Sequence, residues 1–127
     1  KRVIPLAVSG AFHSALMKDA AKEFKTFVEK FDVNDANCTV ITNADAKETT
    51  LGSEFKQKMP EQIYSSVYWT QTVNKMVENG VDTIIEIGPG KVLAGLVKKI
   101  NAEIKTFNIY DVESLNSTVE ALSTANV

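Results

Sequence analysis

One cysteine, one histidine, one tryptophan and one arginine stand among 127 residues. The lone Cys38 excludes an intrachain disulfide and any zinc centre built from several thiolates. The lone His13 excludes a centre that needs several imidazoles. No apolar run approaches the roughly 20 residues of a membrane-spanning helix, and the opening residues do not read as a signal peptide. Fourteen basic side chains against 16 acidic ones leave a formal charge of −2, with no basic excess to argue for nucleic acid. These absences lead to the expectation of a soluble, cytoplasmic protein with no membrane partner.

What is present is ordinary for a globular chain. Hydrophobic residues at 44% and charged residues at 24% exclude intrinsic disorder for most of the length. That length suits one modest domain with a core of its own. Yet the chain opens Lys1-Arg2-Val3-Ile4, without Met, and runs straight into strand-like sequence. It reads as part of something longer.

Apolar and β-branched residues at 3–8 predict a strand, with Pro5 suited to an edge. From Ala15 the period becomes helical through Leu16, Ala20, Phe24, Phe27 and Phe31, with Ser14 as expected N-cap. Residues 38–42 predict a short buried strand, and Asn43 to Ala46 a turn. Leu51 to Met59 is weakly helical, and Pro60 is expected to open a separate short helix. Thr70 is the expected cap of the next helix, with Gly80 closing it. Thr83–Ile87 predicts a strand, Gly88-Pro89-Gly90 a sharp turn, and Val92 to Ile100 a helix. Ile104 to Tyr110 predicts another strand, and Asp111 caps a final helix. The alternation predicts an α/β layer with a mostly parallel sheet.

His13 is the most informative side chain. It lies in a loop of small residues between a strand and an amphipathic helix, where α/β proteins keep functional groups. A neutral imidazole there can serve as a general base, or it can be a plain surface residue. No Gly-x-Ser-x-Gly elbow supplies a nucleophile. Cys38, on a predicted buried strand, reads as an inert core thiol. Gly88-Pro89-Gly90-Lys91 lacks the spacing of a phosphate loop, although the helix it opens could attract an anion. Asn43 and Asp45 read as turn residues that could also line a cleft. Tyr64, Tyr68 and Trp69 read as packing. The carboxylates Asp82, Glu86 and Asp111 show no catalytic pairing.

Four segments act together. They are Val8-Ser-Gly-Ala-Phe-His-Ser-Ala-Leu-Met17, Ile41-Thr-Asn-Ala-Asp-Ala-Lys47, the run Glu61 to Val73, and the run Ile85 to Ile100. In that order the chain resembles the C-terminal part of the malonyl-CoA:acyl carrier protein transacylase family of bacterial fatty acid synthesis. The resemblance extends from about Leu6 to near Leu122.

The resemblance implies an α/β hydrolase-like large subdomain with an inserted ferredoxin-like small one. Residues 1–10 would be the final strand of the small subdomain, and residues 11–127 the C-terminal section of the large one. It implies malonyl transfer from malonyl-CoA to the phosphopantetheine thiol of acyl carrier protein, through an acyl-serine. His13 matches the family's catalytic histidine. Gln62 matches the residue whose backbone carbonyl orients it, in the place a triad carboxylate would take. The nucleophilic serine, the substrate arginine and part of the oxyanion hole are expected upstream, in an N-terminal portion that is a further expected partner. The isolated chain is therefore expected to be inactive. Neither metal nor bound cofactor is implied. Two alternatives stand beside this reading: an acyltransferase domain of a polyketide or multifunctional fatty acid synthase, and a non-catalytic α/β binding module.

Overall fold

A computed structural model describes residues 10–124. The predicted strand at 3–8 lies outside the described residues. The chain divides into two compact units, Lys1–Thr72 and Val73–Val127.

The first unit begins with one 3-10 turn, Ala15–Met17, that runs into helix α1, Lys18–Val28. Ala21 and Val28 are buried and Phe24 is half-buried, one stripe at helical spacing. Ser14 does not cap with its side chain. Its hydroxyl donates to Ala11 O at 2.7 Å, while its carbonyl accepts the Met17 amide. A tight 3-10 start uses the backbone where an α-helical start would use the side chain.

Strand β1, Val40–Ile41, pairs antiparallel with β2, Glu48–Thr49. The expected buried strand at 38–42 is thus shortened to two residues, and Cys38 is exposed. A two-stranded ribbon has too little sheet to cover it. Helix α2, Gly52–Tyr64, packs on α1. It is one helix with Pro60 inside it, not two separated by that residue. Proline cannot donate to the carbonyl one turn back. Its ring is buried beside a groove that Ala21 and Tyr64 also line. Packing here overrides local propensity.

Helix α3, Trp69–Glu78, carries the boundary between the units, and Thr70 lies in its first turn instead of capping it. Gly80, at φ 82°, closes α3: its amide donates to Val77 O and that of Val81 to Met76 O. This is the Schellman arrangement. Strand β3, Thr83–Ile87, and strand β4, Lys105–Ile109, pair in parallel with Ile85 opposite Phe107. Helix α4, Val92–Ile100, connects them, and α5, Val112–Thr124, follows β4. Among the described residues this is the only parallel pair, so the expected mostly parallel sheet is reduced to two strands. Val97 and Ile104 are buried in this unit, while Ile87 on β3 stays 80% exposed.

Candidate active site

The backbone of His13 is left-handed, at φ 63°, which costs a residue with a Cβ about 1–2 kcal/mol. Hydrogen bonds to the end of α2 hold it there. The His13 amide donates to Ile63 O at 2.9 Å. Its ring Nδ1 lies 3.0 Å from Gln62 O and 3.1 Å from Ser65 O. Helix ends leave their last carbonyls without partners. Ser65 makes this end: its backbone is extended, and its amide takes the Glu61 carbonyl. The Gln62 and Ile63 carbonyls that follow are left for His13.

This cradle fixes the tautomer. Carbonyls only accept, so Nδ1 carries the proton and the lone pair of the neutral ring sits on Nε2. The residue is exposed, and among the described residues no side chain hydrogen-bonds Nε2. A ring held this way can take a proton from a group delivered to Nε2. Ser14, next in sequence, is not that group, because its hydroxyl is bonded to Ala11 O.

Gln62 contributes its carbonyl, and its residue is exposed. Asn43 and Asp45 sit in the turn between β1 and β2. Asp45 Oδ2 accepts Lys58 Nζ at 2.7 Å, and its Oδ1 accepts the Thr42 hydroxyl and the Lys47 amide. Burial pushes the Asp45 carboxyl up, but these donors outweigh it and hold the group below its ordinary 3.8. The Asp45 bond in turn raises Lys58 above its usual value. The Lys18 ammonium lies 5.9 Å from the centre of the Tyr64 ring, a packing contact.

The remaining carboxylates are spent on structure. Glu86 accepts the Leu93 amide at 3.2 Å and the Ala94 amide at 2.9 Å. The first turn of α4 therefore receives an internal carboxylate on two of its amides, beside the tight strand-to-helix turn expected there. Gly88 and Gly90, at φ 142° and 92°, make the turn that brings Glu86 to those amides. Asp111 caps α5 through the Ser114 amide, and the amide and hydroxyl of Ser114 hold its carboxyl below the ordinary value. The Asp82 carboxylate accepts the Thr83 hydroxyl, while its backbone carbonyl accepts the Lys105 amide. Among the described residues no group of His, Cys, Asp and Glu could hold a metal ion, and no helix is long and apolar enough to cross a membrane.

Sequence reasoning did not single out Ile63, Ser65, Lys58 or Glu61. The i, i+3 spacing of Lys58 and Glu61 was a visible signal for one ion pair. The carbonyls of Ile63 and Ser65 leave no trace in residue type.

The chain matches no protein-family model. It is 46% identical over 126 residues to the malonyl CoA-acyl carrier protein transacylase of Bacillus subtilis, covering 99% of this chain and 40% of that protein. The chain is homologous to part of the malonyl CoA-acyl carrier protein transacylases. The Haemophilus influenzae transacylase is 43% identical over 122 residues, 96% of this chain and 39% of its own length. Among solved structures, a malonyl-transacylase in complex with its type II PKS acyl-carrier protein superposes with a TM-score of 0.90 at 36% identity. That likeness covers 95% of this chain and 39% of the other. The Synechocystis malonyl-CoA:ACP transacylase superposes with a TM-score of 0.87 at 38% identity, over 92% of this chain and 40% of its own. The chain thus spans about two fifths of the length of the relatives it matches.

Proposed function

We propose that this chain is the C-terminal section of an acyltransferase that moves a malonyl group from malonyl-CoA to the phosphopantetheine thiol of acyl carrier protein. His13 is the general base, and the nucleophilic serine comes from the upstream portion of the same enzyme. The observation that carries the reading is the His13 cradle, found in a segment homologous to transacylases. Carbonyl acceptors on Nδ1 leave Nε2 to receive the serine proton.

The steps balance around that nitrogen. Nε2 takes the hydroxyl proton as the serine oxygen attacks the malonyl thioester carbonyl. The tetrahedral adduct collapses, the carbon–sulfur bond breaks, and the imidazolium returns its proton to the coenzyme A thiolate. In the second half the carrier-protein thiol gives its proton to Nε2 and takes the acyl group from the serine oxygen. The proton then goes back to that oxygen. A neutral carbonyl fixes the ring but helps an imidazolium less than a carboxylate would.

Residues 1–10 then close a ferredoxin-like small subdomain, and residues 11–127 complete an α/β hydrolase-like large one. The PKS carrier protein bound to the structural relative supports a carrier protein as acceptor, from fatty acid or polyketide synthesis. Mass spectrometry after incubation with malonyl-CoA tests the proposal. The intact protein is expected to carry malonyl on an upstream serine, and this chain alone is expected to carry none. An adduct on this chain alone would overturn the assignment.

A further inference from the structure

The turn between β1 and β2 holds both sides of the segment that carries the acceptors of His13. Before that segment, Asp45 accepts Lys58 Nζ at 2.7 Å. After it, Asn43 O accepts the Tyr68 amide at 3.0 Å. Gln62, Ile63 and Ser65 lie between these two ties. Within the bracket the helix has a weak point, because Pro60 removes one backbone hydrogen bond from its last turns. The Lys58 ammonium spans that point. It reaches Asp45 on one side and Glu61, past the proline, at 3.2 Å on the other. Glu61 is also the residue whose carbonyl takes the Ser65 amide that ends the helix. Lys58 and Gln62 stand at i and i+4, on one helix face. Both line a cavity of about 210 Å³ that Asn43 and Ala44 also line.

The geometry points to Asp45 and Lys58 as positioning residues for His13, with the ion pair setting where the last turn of α2 offers its carbonyls to the imidazole. This deepens the transacylase reading and rests on it. Neither residue bonds to the ring, and each acts through the helix end. Thr42 and the Lys47 amide hold Asp45 in place, so the tie is anchored at the turn as well. A displacement of 1 Å at a reacting group can cost about 100-fold in rate. Loss of one of the two ties moves the ring by less.

The test uses the intact enzyme. Asp45→Asn is expected to lower kcat for malonyl transfer about tenfold, with KM for malonyl-CoA within about twofold. In ¹⁵N spectra the His13 imidazole is expected to lose part of its Nδ1–H tautomer. Lys58→Arg keeps the charge and is expected to stay within about threefold of wild type. Lys58→Gln, which removes the same pair from the other side, is expected to cost about tenfold as well. It keeps the test open if Asp45→Asn folds poorly. Wild-type kcat and tautomer in Asp45→Asn, or in Lys58→Gln should Asp45→Asn fail to fold, would overturn the inference. The underlying reading fails separately: a His13→Ala enzyme at wild-type rate would refute it whatever Asp45→Asn does.

Discussion

Gly52 opens α2 against the backbone of the chain ahead of it, and Gly52→Ala measures how tightly. A Cβ at Gly52 would lie 1.9 Å from Val33 O, 2.7 Å from Val33 C and 2.9 Å from Asn34 C. All three are backbone atoms, so no side chain can swing aside. Ordinary contact starts at 3.4 Å, so the two segments must part by 3.4 − 1.9 = 1.5 Å. The Gly52 amide also donates to Asp35 Oδ1 at 2.7 Å, across that same contact. Overpacking costs about 1–3 kcal/mol. Loss of a hydrogen bond to a charged acceptor adds about 1.5–3 kcal/mol. Alanine returns about 1 kcal/mol as the better helix former. A net destabilisation of about 3 kcal/mol follows from these three contributions. Urea unfolding of the intact protein reads it as a lower midpoint, with Ser53→Ala, exposed one residue later, as the control for propensity. If Gly52→Ala raised the midpoint as propensity alone requires, the close approach of α2 to Val33 would be wrong.

Other substitutions test other links. Glu86→Ala strips acceptors from two first-turn amides of α4, and a loss of about 1–2 kcal/mol is expected, with faster hydrogen exchange at Leu93 and Ala94. Unchanged exchange at both amides would contradict the capping role. Asp45 has its folded pKa depressed, so its stabilisation is present above 3.8 and is lost as pH falls through the folded value. The stability gap between wild type and Asp45→Asn should therefore be full at neutral pH and shrink below 3.8. A gap that widened in acid would reverse the sign of the account. Gly80→Ala meets no atom within 4 Å but inherits φ 82°, and a cost of about 1 kcal/mol is expected from backbone conformation alone. A neutral result in thermal unfolding would show that the turn relaxes.

The second unit was far more legible than the first. A β-branched run, a Gly-Pro-Gly turn and a helical period follow one another from Thr83 to Ile100, and each is set by neighbours in sequence. The strand, the turn and the helix stand where that pattern put them. In the first unit distant contacts decide. Pro60 stays inside a helix because its ring is buried, and Cys38 is exposed because the strand shrinks to Val40–Ile41 and leaves it outside the ribbon. Glu86 reaches forward across the Gly-Pro-Gly turn to the first amides of α4, a pairing that residue type does not announce. The site itself was half legible. His13 is conspicuous as the lone imidazole, but its left-handed backbone follows from hydrogen bonds to α2, not from its own preference. Gln62 was marked only by resemblance, because a carbonyl is common to every residue.

The central claim is that His13 Nε2 moves the proton while Gln62 serves through its backbone. Single-turnover formation of the malonyl-enzyme by the intact protein tests it most directly, with His13→Ala and Gln62→Ala measured beside wild type. The account predicts a loss of about 100-fold or more for His13→Ala and nearly wild-type rates for Gln62→Ala, whose carbonyl survives. Equal rates for the two variants would contradict it.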